Sequence, residues 1–384
     1  ALLSRLTWRS VGQAALGMAP LLVWEAFSLV YYGALVPNTA LAKLNTGLID
    51  SATLTAHGWT YLYNSLRVDP ITLVALASGG LAAFADRRWR QLPLVGGIVL
   101  YLLYIVRVGG DFMSGRFLSA PLFLAMGVLL ASGWPGEDRQ RRWAVFALGG
   151  TLLALGLSAP YTPLRAPGNV RADANPEVWV AGRTITDERA NYYTNTGLLR
   201  ALQAEGPFPD HDWAILGRRA RTKGAHVVVK GSVGFYGFYA GPDVVVVDLL
   251  ALGDPLLARL PVMAPDWKVG HYGRYVPEGY LATLEAGENR IEDEALAAYY
   301  DRLVQATQGP LWYPERWRTI WQINTGGYEG LLDTYVYHRD AAFAPRVAIT
   351  NPTDRRYVYA YVWNGSAGAI YLLDDASELG ATYA

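Results

Sequence analysis

The sequence predicts a membrane α-helical region of about five transmembrane helices followed by an extracytoplasmic mixed α/β domain. Of the 384 residues, 52% are hydrophobic and only 17% are charged, whereas soluble domains carry about 25% charged residues. Residues 1–160 contain 12 Lys and Arg against 7 Asp and Glu, and residues 161–384 contain 21 against 26. A basic, apolar half and an acidic, polar half indicate that the first half lies in a lipid bilayer and the second half lies in water. We therefore expect a transmembrane helical domain at 1–160 and an extracytoplasmic soluble α/β domain at 161–384.

The composition also excludes several classes of protein. The apolar content excludes a disordered chain. Because the sequence contains no cysteine, it has no disulfide framework, no Cys-ligated zinc and no thiol nucleophile. The acidic second half argues against nucleic acid as a partner. The sequence begins at Ala1 without the anatomy of a signal peptide, so we expect it to be the later part of a longer protein.

Five apolar runs predict the membrane helices. Several have about 16 residues, fewer than the roughly 20 that cross a bilayer, so any one of them can instead be a buried or re-entrant segment. Basic residues cluster at 1–10, 86–91 and 136–142, and five crossings put all three clusters in the cytoplasm. The loops 36–69 and 107–116 then face outward, together with everything after about residue 160. The runs are Ala14–Leu35, Pro70–Ala85, Leu92–Val106, Phe117–Ser132 and Trp143–Ala159.

The second half begins with a linker rich in proline, glycine and asparagine and continues with a globular pattern. Apolar periodicity predicts two helices, and β-branched runs predict four strands. Strands separated by helices suggest a three-layer arrangement, although the strand order is not readable from the sequence. The predicted helices are Thr186–Ala204 and Glu292–Gln308, and the predicted strands are His226–Lys230, Asp243–Leu249, Arg355–Trp363 and Gly368–Leu373.

Two arginines and one carboxylate lie in a glycine-rich loop between the third and fourth runs, RVGGDFMSGR at 107–116. Charged side chains are costly beside lipid and indicate function there. Arg107 and Arg116 suit phosphate, because a guanidinium can hold two of its oxygens while glycine lets the backbone approach. Asp111 is then a candidate general base or metal ligand. The alternative is an ordinary tight loop whose arginines reach toward lipid head groups.

A second candidate segment, YYGALVPNTALAKLNT, follows the first apolar run. Its Tyr32 lies where an aromatic interface belt would be. Pro37 ends one helix, and we expect Asn38 or Thr39 to cap the next. Lys43 then emerges from the first turns of that helix, whose N-terminus attracts anions such as a phosphate. The alternative is a capped amphipathic linker helix without a ligand.

An aromatic segment, GSVGFYGFYAGPD at 231–243, lies in the second half. Phe235, Tyr236 and Tyr239 offer ring faces on a flexible backbone, and such faces stack on sugars. Alternating aromatic residues are also typical of a sheet core. His271, in the sequence GHYGRY, is a further candidate, although a lone histidine is more often structural.

These segments together resemble a family of bacterial polytopic GT-C glycosyltransferases, which includes arabinofuranosyltransferases of the cell wall. The resemblance rests on YYGALVPNTALAKLNTG, RVGGDFMSGRF, GSVGFYGFYAGPDVVVVDLLALGDPLLARLP and GHYGRYVPEGY, and covers most of the chain. It implies a partial GT-C module, multi-pass in the bacterial inner membrane, with its active site on the outer face. It further implies a polyprenyl-phosphate sugar donor, a pentofuranose such as arabinofuranose, and a cell-envelope polysaccharide as acceptor.

The resemblance also has one departure. The family keeps a catalytic carboxylate in its first outer loop and has more than five spans, so this carboxylate is expected upstream of Ala1. Asp111 is therefore a substitute candidate for the base. A Mg²⁺ or Mn²⁺ ion bridging Asp111 to the phosphate stays open, because no ligand cluster requires it. We expect Arg107, Arg116 and Lys43 at the donor phosphate, Asn38 and Tyr32 at the sugar, and Phe235, Tyr236, Tyr239 and His271 at the acceptor.

Two other interpretations stay open. A non-catalytic, membrane-anchored protein that binds or assembles glycans accounts for the aromatic residues of the second half and requires no base. A different lipid-linked transferase, of the O-antigen ligase or protein mannosyltransferase type, would use another donor and another acceptor.

Overall fold

The computed structural model of the chain is mostly helical. It describes residues 7–45, 49–85, 91–131, 139–158, 178–180, 183–186, 188–206, 208–231, 233–262, 269–333, 335, 347–349, 358–363 and 368–373. Most of the predicted basic clusters at 1–10 and 86–91, part of the one at 136–142, and the linker before residue 178 lie outside these residues.

Helices occupy most of the described chain, and the strands are short. The helices are α1 (Trp8–Tyr32), α2 (Asn38–Leu44), α3 (Ser51–Val68), α4 (Pro70–Ala85), α5 (Leu92–Arg107), α6 (Ser119–Ala131), α7 (Arg139–Ser158), α8 (Glu188–Thr196), α9 (Leu198–Ala201), α10 (Asp212–Thr222), α11 (Gly234–Ala240), α12 (Tyr280–Ala286), α13 (Glu294–Gln308), α14 (Pro314–Asn324) and α15 (Glu329–Asp333). The strands are β1 (Val178–Val180), β2 (Arg183–Ile185), β3 (Val227–Lys230), β4 (Val245–Asp248), β5 (Val347–Ile349), β6 (Val358–Trp363) and β7 (Gly368–Leu373).

The five apolar runs all form helices, in α1 and in α4 to α7. Within the described residues, one helical stretch, Val11–Tyr32 of α1, is both long and apolar enough to cross a bilayer. Helices α3 and α4 pass the same test as a pair, but the chain bends by 104° between them. Helix α5, the stretch Arg116–Ala131 and the stretch Arg142–Ser158 are apolar and shorter. The five spans therefore stay a prediction, while the helices themselves are confirmed.

Helix α3 lies within residues 36–69, which the sequence predicted to be an outward-facing connection with one helix near Asn38. The sequence of α3 contains Thr, His, Asn and Ser residues that lower its mean hydropathy. Four of its polar or amphipathic residues, His57, Tyr61, Asn64 and Ser65, are nevertheless buried. They recur at helical spacing, so they share one face of α3. The buried face of this helix is polar, which is why a search for apolar runs missed it.

Two compact units divide the chain by contacts rather than by composition. The first comprises residues 1–45, 217–266 and 273–384, and the second comprises residues 46–216 and 267–272. The boundary predicted at residue 160 rests on the change of composition and stays a prediction.

In the first unit, a parallel pair of strands forms the centre. β3 pairs with β4 from Val227–Val245 to Lys230–Asp248, and α11 connects them. Parallel strands require such a crossover. The buried core around this pair includes Leu256, Leu296 and Leu303 from the short helical turn after β4 and from α13. Ala42 of α2 belongs to the same core, which ties the end of the first apolar run to this unit.

In the second unit, α3 to α6 pack on one another around Tyr61, Leu76, Ile98 and Ile105. Small residues allow close approach between these helices. A Cβ placed on Gly58 would lie 2.3 Å from the carbonyl oxygen of Val106, so α3 and α5 touch backbone to backbone. Such small-residue contacts are typical of helices that pack within membranes.

Three predictions for the second half need correction. Segment 231–243 contains helix α11, in which Tyr236 and Ala240 are buried, so its described part is neither a flexible loop nor a strand. The predicted helix Thr186–Ala204 is two helices separated at Gly197. The described strands form one parallel and two antiparallel sheets, of two, two and three strands, and not one layered sheet. The positions of β3, β4, β6, β7 and α13 are confirmed to within a few residues.

Candidate functional site

The loop that follows α5 is folded tightly on α3. Gly109 and Gly110 have φ values of 87° and 68°, in the left-handed region that only glycine adopts without strain. A Cβ on Gly110 would lie 2.5 Å from Cβ of Tyr61. The two glycines therefore serve two needs, a left-handed turn and contact between the loop backbone and the buried face of α3.

Side chains of α3 hold this loop along its length. The ring nitrogen Nδ1 of His57 lies 2.7 Å from the carbonyl oxygen of Gly109. A carbonyl oxygen only accepts, so Nδ1 carries the proton in this contact. Tyr61 Oη accepts a hydrogen bond from the backbone N–H of Phe117 at 3.0 Å, and Ser114 Oγ donates to Asn64 Oδ1 at 2.6 Å. The polar face of α3 thus fixes the loop at its start, middle and end.

Asp111 and Arg116 form an ion pair within the loop. The carboxylate of Asp111 is 1% exposed, and its Oδ2 contacts Nε of Arg116. Its other oxygen accepts a hydrogen bond from the backbone N–H of Phe112 at 2.9 Å. The guanidinium of Arg116 reaches the surface and lies 5.3 Å from the ring centroid of Phe117. The buried carboxylate of Asp111 therefore anchors the Nε side of the guanidinium, while the Arg116 side chain is partly exposed at the surface.

The other arginine of the loop, Arg107, ends α5 and is exposed. The backbone of the loop also pairs with the chain before α8. Thr186 donates its N–H to the carbonyl of Phe112 at 2.8 Å and accepts from the N–H of Ser114 at 3.0 Å. The ring of His271 lies 4.3 Å from that of Phe112, between centroids. The structure thus brings Asp111, Arg116 and His271 into one neighbourhood of the second unit.

The second candidate segment, around α2, lies in the first unit. Here the predicted cap is corrected, because α2 begins after Pro37 and has no side-chain cap. Asn38 instead binds the globular part of the unit, where its Oδ1 accepts a hydrogen bond from Nη1 of Arg259 at 3.2 Å. Tyr32 is exposed at the end of α1, and Lys43 is half-buried in the last turn of α2.

Arg274 fixes the C-terminal end of α2. It is fully buried, and its Nη2 donates to the carbonyls of Ala42 at 2.8 Å and Asn45 at 3.2 Å. Its Nε donates to the carbonyl of Leu260 at 3.2 Å. The last carbonyls of a helix lack intrahelical partners and carry the negative end of its dipole. A buried guanidinium satisfies both the hydrogen bonds and the charge.

The first unit also contains a buried carboxylate, Asp254. Asp254 accepts hydrogen bonds from the N–H groups of Leu256 and Leu257 at 2.9 and 2.8 Å. The hydroxyl of Tyr280 donates to Asp254 Oδ2 at 3.1 Å. Burial raises the pKa of Asp254 to about 6, against the lowering effect of these hydrogen bonds. Burial also lowers the pKa of the nearby Arg259 guanidinium.

The aromatic segment does not present all its rings to solvent. Tyr236 is 2% exposed and packs in the first unit, whereas Phe235 and Tyr239 are half-buried. Tyr236 therefore has no face for a sugar in this structure. Phe238, in the same segment, is 78% exposed. Binding of the acceptor by these rings stays a prediction, and among the predicted rings only Phe235 and Tyr239 are accessible for it.

Among the described residues, no three His, Asp or Glu side chains lie close enough together to hold a metal ion. The nearest cation to Asp111 is the guanidinium of Arg116, which already balances its charge.

Sequence reasoning missed the α3 residues that hold the loop and the arginines that hold α2. A usable signal existed for α3, because His57, Tyr61 and Asn64 follow one another at spacings of four and three and so share a helical face. Arg259 and Arg274 gave no such signal, since their partners lie more than 200 positions away along the chain.

Comparison with known proteins supports the resemblance. The chain is 27% identical to a terminal beta-(1->2)-arabinofuranosyltransferase of Mycobacterium tuberculosis over 351 residues, which covers 73% of this chain and 54% of that protein. It is 31% identical to the protein of the same name from Corynebacterium glutamicum over 161 residues, which covers 37% of this chain and 22% of that protein. No family model and no solved structure matches the chain.

The chain thus spans about half the length of the mycobacterial relative and less of the corynebacterial one. By sequence it is similar to the terminal beta-(1->2)-arabinofuranosyltransferases of two bacteria, which confirms the resemblance that its loops predicted.

Proposed function

We propose that the chain is part of a membrane glycosyltransferase of the GT-C type. It moves a pentofuranose such as arabinofuranose from a polyprenyl-phosphate donor to a cell-envelope glycan on the outer face of the inner membrane. The names of the two relatives support a sugar transfer of this class. The observation that carries the assignment of a site is the buried carboxylate of Asp111 held against Arg116 in a loop closed by glycines.

In this proposal the loop binds the phosphate of the donor. The acceptor hydroxyl attacks the anomeric carbon, and its proton passes to a carboxylate. The bond between that carbon and the phosphate oxygen breaks, and its electron pair leaves with the polyprenyl phosphate. Arg107 and Arg116 offset the negative charge that develops on the leaving phosphate as the bond breaks, so they stabilise the transition state more than the bound donor.

The contacts of Asp111 favour a positioning role over that of a base. Both of its oxygens are engaged, one by the N–H of Phe112 and the other by Arg116. A buried carboxylate that orients a guanidinium keeps it in place before the donor arrives, which lowers the entropic cost of binding. The role of Asp111 as base remains the alternative, and the double-variant experiment at the end of the Discussion separates the two.

The remaining predicted contacts stay proposals. Lys43, Asn38 and Tyr32 belong to the first unit, and His271 to the second. Since Asn38 is bonded to Arg259, we propose that it supports α2 and reaches the sugar only through its remaining polar atoms. The accessible rings of Phe235 and Tyr239 remain candidates for acceptor contact.

The test is sugar transfer by the full-length protein in membrane vesicles. Labelled polyprenyl-phosphoarabinofuranose is supplied with a short arabinan acceptor, and Arg116→Lys is compared with Arg142→Lys, an exposed position at the start of α7. A lysine keeps the charge but lacks the planar fork, so we expect Arg116→Lys to lose about tenfold or more in turnover. Arg142→Lys should transfer normally.

The outcomes separate the alternatives. Equal activity of both variants would remove Arg116 from the site. Arabinan binding without any transfer by the unaltered protein would favour a glycan-binding protein. Transfer from a polyprenyl-phosphate donor with another sugar, and not from the arabinose donor, would favour a different lipid-linked transferase.

A further inference from the structure

Helix α14 and the residues just before it carry three tryptophans that the proposed reaction does not use. Trp312 is 77% exposed and Trp321 is 67% exposed. Trp317 lies between them and stacks on Trp312, with ring centroids 6.5 Å apart and planes inclined by 24°. Trp317 and Trp321 are four residues apart, so they lie on the same side of the helix. We call Trp312, Trp317 and Trp321 the tryptophan row.

The tryptophan row lies at the border between two other faces of α14. Arg316, Thr319 and Ile320 are buried against the rest of the first unit. Glu315 and Arg318 form an exposed ion pair at 2.6 Å on the polar side. An amphipathic helix with aromatic residues at the border of its polar face is typical of segments that lie in a membrane interface.

Helix α14 is attached directly to the end of α1. Nη2 of Arg316 donates to the carbonyl of Tyr31 at 3.4 Å. Nδ2 of Asn324 donates to the carbonyl of Gly33 at 2.9 Å, and its Oδ1 accepts from the N–H of Leu35 at 3.1 Å. These contacts fix the two ends of α14 at the residues where α1 stops, within one compact unit.

Helix α1 has the properties of a segment in contact with lipid. Its stretch Val11–Tyr32 is long and apolar enough to span a bilayer, and only 6% of its most apolar window is buried within the protein. Trp24, Tyr31 and Tyr32 are exposed in its last turns. Tryptophan and tyrosine concentrate where a span leaves the bilayer. The end of α1 therefore marks the level of a membrane interface.

From these observations we infer that the tryptophan row of α14 inserts into the lipid interface at the end of α1 and docks the globular part of the first unit on the bilayer. The partner is the lipid surface itself, because α14 is hydrogen-bonded to the end of α1, where Tyr31 and Tyr32 are exposed. The inference rests on the proposed membrane span of α1 and goes beyond the proposed transfer reaction, to which it assigns no residue.

The test uses cysteine labelling of the full-length protein in proteoliposomes. Within this chain an introduced cysteine meets no other thiol, and cysteines elsewhere in the full-length protein are first replaced by serine. A fluorescent label is attached at Trp321→Cys, at the control Arg318→Cys on the polar side of α14, and at the reference Leu22→Cys, which is exposed in the middle of α1. The quenchers are lipids with a spin label either near the head group or at the end of the acyl chain.

We expect the label at position 321 to lose fluorescence with the head-group quencher and the label at 318 to keep it. The label at 22 should respond to the acyl-chain quencher. A quenched 22 with equal, weak quenching at 321 and 318 would overturn the inference while leaving the span of α1 intact. An unquenched 22 would remove the span and the inference with it. A label at 321 that responds to an added arabinan oligosaccharide and not to lipid would make the row a glycan-binding surface and would also overturn the inference.

Discussion

Single glycines decide how the loop at 107–116 meets its supporting helix. Gly110 combines a φ of 68° with direct contact on Tyr61, whereas Gly115 has a φ of 75° and a Cβ there would meet no described atom within 4 Å. The two positions share the left-handed backbone and differ in the space around them. They therefore separate the cost of the backbone conformation from the cost of the contact.

We predict that Gly110→Ala destabilises the protein far more than Gly115→Ala. A left-handed conformation costs a non-glycine residue about 1 to 2 kcal/mol, and Gly115→Ala should show this cost alone. Gly110→Ala must in addition push Tyr61 away from the loop. Thermal unfolding of the full-length protein in detergent measures both. Equal midpoints for the two variants would show that the loop is not packed on α3.

Asp254 provides a prediction at the scale of one titrating group. Its pKa is raised to about 6 in the folded protein, from about 3.9 in an unfolded chain. Between these values the folded state binds more protons than the unfolded state, so stability falls as the pH rises from about 4 to about 6. The difference of about 2 units corresponds to roughly 3 kcal/mol.

Asp254→Asn should remove this dependence, because an amide keeps a carbonyl oxygen for the N–H groups of Leu256 and Leu257 without acquiring a charge. We expect the variant to gain stability relative to the parent as the pH rises from 4 to 7. The measurement is the unfolding midpoint at several pH values. Asp243→Asn, at an exposed position, is the control and should follow the parent. Parallel curves for parent and Asp254→Asn would refute the raised pKa.

At the scale of elements, the short helix α2 depends on a partner far along the chain. A seven-residue helix is too short to be stable in water by itself. Two hydrogen bonds from Arg274 to the end of α2 and the burial of Ala42 hold α2 on the globular part of its unit, and a third bond holds Arg274 on the carbonyl of Leu260. Its stability is therefore tertiary, and removing Arg274 should release it.

Arg274→Met should cost about 3 kcal/mol or more, since several hydrogen bonds from a charged group are lost and buried carbonyls are left without donors. Arg290→Met is the matched control, because Arg290 makes a surface contact with Glu288 at 3.8 Å and surface substitutions change stability little. Hydrogen exchange at residues 38–45 should accelerate in the first variant alone. Unchanged exchange there would show that α2 does not depend on Arg274.

Helices and strands were predictable from the sequence where their apolar and polar residues follow a regular pattern. Continuous apolar runs predicted α4 and α5 almost to the residue, and amphipathic spacing did so for α13. Helix α3 was missed because His57, Asn64 and Ser65 interrupt its buried face, so that the helix has no continuous apolar run. Helix α11 was missed because alternating glycine and aromatic residues have neither a helical nor a strand period. In both cases the deciding contact is tertiary.

The candidate site was predictable only in part, for the same reason. The loop with Asp111 and Arg116 stands out because charges beside apolar runs are rare. That Asp111 pairs with Arg116 does not follow from their spacing, since both roles of a carboxylate, base and positioning group, fit the same sequence. The support from His57 and Asn64 depends on a contact about 50 residues apart in the chain.

At the scale of the whole molecule, contacts group helices of the apolar half with strands of the polar half. Helices α1 and α2 belong to the unit that contains β3 and β4, and β1 and β2 belong to the unit of α3 to α7. Composition and contacts therefore divide the chain differently. The chain spans about half the length of the mycobacterial relative, so the transfer experiments use the full-length protein.

The most direct test of the account is a double-variant cycle on the transfer reaction. The second-order rate constant for the donor, kcat/KM, is measured for the unaltered full-length protein. It is also measured for Asp111→Asn, for Arg116→Lys and for the double variant. If Asp111 acts by positioning Arg116 at the donor phosphate, each single variant lowers kcat/KM and the double variant is little worse than Arg116→Lys. The pH profile of Asp111→Asn then keeps its acidic limb. Losses that multiply, together with a vanished acidic limb, would make Asp111 the base and contradict the positioning role. Full activity of both single variants would contradict a donor site in this loop.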